Sequence, residues 1–233
     1  MANDETGPKV RGKHPTEDLI YDRLIDAIID KHLRAGEHLN EVKLAEAYGV
    51  PRSRVRRVLE RLRDEDVVVF ELHRGAFVTR PTIDDAHHVF EARRELECVV
   101  VRLACERATR SDIGRLHRHL EREHAAFEGE GPGVNRVAAD FHYLVAQIAR
   151  NPVFERMLSV LIRRGVLIQS VYERKNGTLC LTHDHRTLVD CIAERRSEDA
   201  AREMALHFEH IFSSLDLTES RRLERDIYDF TRG

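Results

Sequence analysis

Apolar residues recur at Leu19, Ile20, Leu24, Ile25, Ile28, Ile29 and Leu33, one face of a helix that closes at Ala35-Gly36. A shorter stripe of Val42, Ala45 and Leu44 or Tyr48 predicts a second helix over Glu41–Tyr48. Gly49 follows, where the chain must turn sharply. Val50-Pro51 then opens a third helix, since proline is tolerated in a first turn whose N–H has no partner. Within it Val55, Val58, Leu59 and Leu62 stand at i, i+3, i+4 and i+7, a stripe that packs on the preceding helix. After Asp66 the period shortens: residues 67–71 and 76–79 are β-branched or aromatic runs joined at His73-Arg74-Gly75, a hairpin signal.

Beyond Arg80-Pro81-Thr82 the pattern is helical throughout, and Thr82 with Asp85 forms a capping box for the first helix. Helices are predicted at 83–108, 111–128, 135–150, 153–173, 179–195 and 198–216. They are separated at Arg110-Ser111, Gly129 to Gly133, Asn151-Pro152, Asn176-Gly177 and Arg196-Ser197. The expected fold is mainly α: an N-terminal winged helix-turn-helix of three helices plus a β-hairpin wing, then an all-α antiparallel bundle of about six helices. Its expected segments are a flexible arm at 1–15, the winged domain at 16–80, the bundle at 81–217 and a tail at 218–233.

Charge gives the first domain a function. Seven basic residues (Lys43, Arg52, Arg54, Arg56, Arg57, Arg61, Arg63) face two acidic ones (Glu46, Glu60) between positions 43 and 63, although the 233-residue chain has a net charge of only -3. A local excess of this kind suits a phosphate backbone. An arginine-rich solvated face is the bland alternative; the helix-turn-helix spacing and glycine-tipped hairpin favour nucleic acid. With the apolar stripe turned inward, Arg52 and Arg56 stand outside with Ser53 and Arg57 on the flank, where such a motif reads base edges in the major groove. Residues 1–80 hold 15 basic and 15 acidic side chains, leaving 23 and 26 to the remainder, so DNA is expected to meet the first domain only.

Gly36-Glu37-His38-Leu39-Asn40-Glu41, Leu44-Ala45, Gly49-Val50, Arg52, Val55-Arg56, Leu59, Leu62 and Arg74-Gly75-Ala76-Phe77-Val78 resemble the winged-helix domain of GntR-type bacterial transcription regulators over about residues 16–80. The resemblance implies that Arg52, Ser53 and Arg56 contact bases or phosphates and that Arg74 and Gly75 enter the minor groove. Two positions depart from the pattern: Pro51 replaces a common Ser or Thr and removes a side-chain cap, and Arg54, where Pro is frequent, adds a cation suited to phosphate. Arg57 is expected to clamp phosphate as well.

Ten of the 14 histidines lie beyond residue 81. His87, His88, His117, His119 and His124 have charged neighbours and read as surface residues. His142, His185 and His207 instead sit beside apolar positions of three separate helices. Three imidazoles from different helices can converge on Zn²⁺, Ni²⁺ or a similar divalent ion, although a lone interior histidine is more often a hydrogen-bonded core residue.

Arg93-x-x-Leu96-Glu97, Phe141-His142, Asn151-Pro152, His185 and His207 resemble the all-helical FadR C-terminal domain, FCD, that follows GntR-type winged helices. That resemblance implies a metal on His142, His185 and His207 and a small carboxylate effector held by the metal or by Arg93. An aspartate four residues before the first histidine would complete the usual set, but Ala138 stands there. Asp140 lies about 200° around the helix from His142 and is no simple replacement. Arg93 can anchor a carboxylate bidentately or pair with Glu97 on its own helix.

Other chemistries find little support. The sequence lacks HExxH, HxHxDH, GxGxxG, GxxxxGK[ST] and GxSxG, and Thr182 as an N-cap with His185 in the first turn accounts for His183-Asp184-His185 without a metallohydrolase. Cys98, Cys105, Cys180 and Cys191 form no CxxC and fit reduced core thiols rather than a redox sensor. No run of about 18 apolar residues occurs, which argues against a membrane span. The expectation is a cytoplasmic, homodimeric, non-enzymatic regulator of a pseudo-palindromic double-stranded operator, with repression relieved by ligand as the favoured sign. A winged helix whose bundle only dimerises, and a metal-dependent enzyme, remain the alternatives.

Overall fold

The computed structural model describes residues 15–129, 134–174 and 181–218. Residues 1–14 of the expected arm, 219–233 of the expected tail, Cys180, residues 130–133 of the expected turn after Gly129 and the turn at Asn176-Gly177 lie outside those residues, whereas Pro15, expected in the arm, begins the first helix. Helices α1 (Pro15–Ile29), α2 (Glu41–Tyr48) and α3 (Arg52–Asp64) build the head with strands β1 (His38–Leu39), β2 (Val68–Glu71) and β3 (Gly75–Val78). The bundle comprises α4 (Ile83–Arg107), α5 (Arg110–Glu128), α6 (Val134–Ile148), α7 (Pro152–Tyr172), α8 (Leu181–Ala193) and α9 (Ser197–Ser213).

Local chemistry sets the ends of these helices. Asn40 caps α2 by accepting from the Val42 and Lys43 N–H groups at 3.0 and 3.1 Å, and Gly49 closes it at φ 62°. Pro51 is the cap of α3 and not its first turn: it is extended, offers no side-chain hydrogen bond, and the helix begins at Arg52. α1 stops at Ile29, before a turn with Lys31 at φ 59°, so Leu33 packs from outside the helix. The wing has a third member that is only two residues long: the antiparallel order is β1-β3-β2, with Val69 opposite Phe77 and Leu39 opposite Ala76. Thr82 and Asp85 form the expected capping box, and Thr109 and Asp112 repeat it at α5.

Two apolar cores result. Ile20, Leu24, Val55, Leu59 and Leu62 fill the head. In the bundle, α4 packs against α6, α7, α8 and α9, burying Val101, Phe141, Leu158, Leu188 and Met204. The cores interlock, because Leu167 of α7 is buried in the head core and Ile29 of α1 in the bundle core. Tyr172 strengthens the joint by donating its hydroxyl to the Pro81 carbonyl at 2.8 Å. Among the described residues no helix is long and apolar enough to cross a membrane.

Candidate nucleic-acid interface and histidine centre

The buried stripe of α3 is Val55, Val58, Leu59 and Leu62, which leaves Arg52, Ser53 and Arg56 on the exposed side. The Arg52 and Arg56 side chains are 65% and 59% exposed. Glu41 of α2 lies 3.6 Å from Arg52 and 3.7 Å from Arg56, and Arg56 also reaches Glu60 at 3.3 Å. Exposed pairs at such distances contribute about 0–1 kcal/mol, so a phosphate or a guanine edge can replace the carboxylate at little cost. Arg57 is exposed as well but already holds Glu17 of α1, with Nε at 3.0 Å. Arg54 is half-buried. At the wing, Arg74 pairs with Glu71 beside the Phe77 ring, and Gly75 opens β3 at φ 94°. Arg61 is occupied by Asp18 at 2.9 Å and stacks over Tyr21, a structural use.

The three singled-out histidines come together. His142 of α6, His185 of α8 and His207 of α9 are all buried, and each can offer one ligand atom within 4.8 Å of the others. The His185 and His207 Nε2 atoms are 3.3 Å apart, and those of His207 and His142 are 3.4 Å apart. Every Nδ1 faces a carboxylate: His142 meets Glu97, His185 meets Glu123 at 2.8 and 3.0 Å, and His207 meets Asp184 at 3.3 Å. Those acceptors assign the ring protons to Nδ1 and leave three Nε2 lone pairs converging.

Lone pairs that face one another repel unless a cation or a shared donor sits between them. Tetrahedral zinc with nitrogen ligands at about 2.0–2.1 Å sets those nitrogens roughly 3.3–3.4 Å apart, a spacing that two of the three Nε2 pairs match, so the donor set fits a divalent metal. Burial depresses the basicity of the imidazoles, moving His207 down to about 4 and His185 well below its ordinary value, which favours the neutral form that ligation requires. Burial alone would raise the Glu97 carboxyl; His142 and Arg93 overcome it and hold the group near 2. Burial pushes Glu123 up to about 7, with His119 and His142 opposing.

Arg93, only 2% exposed, lines the same cavity, as do Ala138 and Gln169. Its Nε donates to Glu97 at 3.0 Å, so the same-helix pair forms. Nη2 lies 2.9 Å from the same oxygen but is directed badly for a hydrogen bond, leaving a buried donor unsatisfied. The cavity holds about 20 Å³, room for an ion or one water. A larger space of about 340 Å³ lies beside Phe90, Phe208 and Phe212, with His87, Glu91, Arg94 and Glu209 also on its wall.

Comparison with known proteins recognises both domains of the chain. The model of the bacterial regulatory proteins, gntR family, matches residues 16–78, and that of the FCD domain matches residues 88–210. The chain belongs to the GntR family. This GntR-family protein, which carries an FCD domain in the arrangement of the FadR subfamily, is a DNA-binding transcriptional regulator that senses a metabolite, not an enzyme. It is 27% identical over 191 residues to the Nta operon transcriptional regulator of Aminobacter aminovorans, covering 80% of this chain and 88% of that one. The HTH-type transcriptional repressor NanR of Citrobacter rodentium (strain ICC168) is 26% identical over 219 residues, covering 83% of each chain. In fold it is similar to E. coli McbR/YncC, with a TM-score of 0.77 at 20% identity over 86% of this chain and 96% of that one.

Several residues around the three histidines are not legible in the sequence of this GntR-family protein. Glu97 was visible only as a partner for Arg93, and Glu123 and Asp184 were not singled out as histidine partners. His119 is a correction: it is buried, not on the surface. It packs on Phe141 with its centroid 5.9 Å away, and burial lowers its pKa to about 4. A signal existed, since Leu116, His119 and Glu123 share one helical face and all are buried. Thr182 is also reassigned, because α8 already includes Leu181 and Thr182 therefore lies within the first turn. Ala138 lines the cavity without offering a ligand, whereas Asp140 is surrounded by Arg136, Arg122 and Asp26.

Proposed function

We propose that this regulator is a homodimeric repressor whose histidine centre holds a divalent metal such as Zn²⁺ or Ni²⁺ and, beside it, a small carboxylate. Convergence of three Nε2 atoms, each with a carboxylate behind its ring, carries the metal reading; the unsatisfied Arg93 donor supports the carboxylate. The 20 Å³ cavity requires side chains to move aside before an organic acid can enter. Arg52, Ser53 and Arg56 are the proposed base and phosphate contacts. Arg54 and Arg57 are proposed phosphate contacts, the latter once Glu17 releases it, and Arg74 with Gly75 is proposed to enter the minor groove. Two heads would then meet half-sites of a pseudo-palindromic operator about one helical turn apart. The repressor name of the NanR relative supports repression.

Elemental analysis of protein purified without chelator tests the metal reading. About one equivalent per chain is expected, absent from His185→Ala. A folded wild-type protein that neither retains metal nor takes up Zn²⁺ on dialysis would contradict it.

A further inference from the structure

Helix α7 has two opposed working faces. At about 100° per residue, Arg163, Arg164 and Leu167 fall on one side, and Gly165, Val166 and Gln169 on the other. The first side grips the head: Leu167 is part of its core, and Arg164 lies 3.2 Å from Asp66. The second side closes the histidine cavity, which Val166 and Gln169 line. Gly165 lets the α7 backbone approach Arg93 so closely that an added Cβ would stand 2.6 Å from its Nη1.

Arg163 joins these faces to the DNA-reading helix. It is buried, and its Nε lies 2.8 Å from Glu65, the residue that caps the end of α3, an ion pair by distance though not angled as a hydrogen bond. Glu65 also accepts the Tyr21 hydroxyl from α1, and Tyr143, the neighbour of His142, is buried close to Arg163. A buried guanidinium is costly when its counter-charge departs, so α3 and α7 are constrained to move together.

We propose that Arg163 is a positioning residue for DNA recognition: it ties the end of α3 to α7, so that a group entering beside Arg93 displaces α7 and re-aims Arg52 and Arg56. The proposal rests on the reading of the histidine cavity as the effector site. It assigns the transmission to one buried ion pair between head and bundle.

Spin labels carried on non-natural amino acids at Lys43 in α2 and His117 in α5, both exposed, report the head-to-bundle distance in the full chain. Gly165→Ala, which pushes on the Arg93 guanidinium as an occupant would, should shift that distance in the wild-type background and leave it unshifted in Arg163→Met. The charge swap Arg163→Glu with Glu65→Arg should restore the shift. Affinity for a DNA fragment selected by the protein from random sequence should follow, changing on the order of tenfold with Gly165→Ala only where the pair is intact. A shift that survives Arg163→Met, or no shift in the wild-type background, would overturn the proposal. If circular dichroism shows that Gly165→Ala fails to fold, Arg93→Met disturbs the same contact and is judged by the same two outcomes. Failure of Zn²⁺ to bind in equilibrium dialysis would count against the metal reading alone, because the distance measurement uses no metal.

Discussion

The exposed face of α3 and the histidine cavity are both assembled from paired charges, yet they use them in opposite ways. On α3, Arg52 and Arg56 are more than half exposed and share one carboxylate at 3.6 and 3.7 Å, loose pairs that another anion can displace. In the cavity, Arg93, Glu97 and His142 are almost completely buried, and no solvent replaces a lost partner. The contrast teaches that an ion pair's geometry matters less than what takes its place when it opens. Exchange is cheap on the head and expensive in the bundle, which suits the DNA contacts proposed for the one and the binding centre proposed for the other.

Removing a carboxylate from each region tests that difference most severely. Glu97→Gln should destabilise the protein by about 3–5 kcal/mol in urea unfolding, because Arg93 loses its buried counter-charge. Glu41→Gln should stay within about 0.5 kcal/mol of wild type. Equal costs would erase the distinction.

Acid exposes the buried region next. His119 has a folded pKa of about 4, below its ordinary 6.5, so the unfolded chain takes up its proton first as pH falls. Stability is therefore fully present above 6.5 and declines as pH drops toward 4, by up to roughly 3 kcal/mol for this group. His119→Leu should flatten the decline between pH 6.5 and 4 in denaturation midpoints, and an unchanged slope would assign the acid sensitivity elsewhere.

The head should respond in binding rather than in folding. Arg56→Ala is expected to cost about 1–3 kcal/mol of discrimination between selected and mutated operator fragments in a mobility-shift titration. Its unfolding midpoint should scarcely move. Unchanged discrimination would remove Arg56 from the proposed base contacts.

The same contrast explains what the sequence made visible. Val55, Val58, Leu59 and Leu62 define the inward side of α3 by local spacing, so the exposed arginines follow from a single helix. His142, His185 and His207 stood out because apolar residues flank them on three predicted helices. Their carboxylates did not, since Glu97 and Glu123 meet their histidines across 45 and 62 residues of chain, contacts that no local period encodes. His119 was misread from its charged sequence neighbours, although its i−3 and i+4 positions face the core with it. The two-residue β1 is too short to show an alternation and exists by pairing with β3.

If, as proposed, occupation of the histidine centre governs DNA binding by the head, one linked titration detects it directly. Fluorescence anisotropy of a selected operator fragment is followed with wild type and His185→Ala, each with Zn²⁺ and after chelation. Wild-type affinity should change by on the order of tenfold between the two conditions, and the fragment should alter Zn²⁺ affinity by the same factor. His185→Ala should bind the fragment equally well in both. A wild-type affinity indifferent to Zn²⁺ in protein shown to bind it, or an equal response from His185→Ala, would contradict the account.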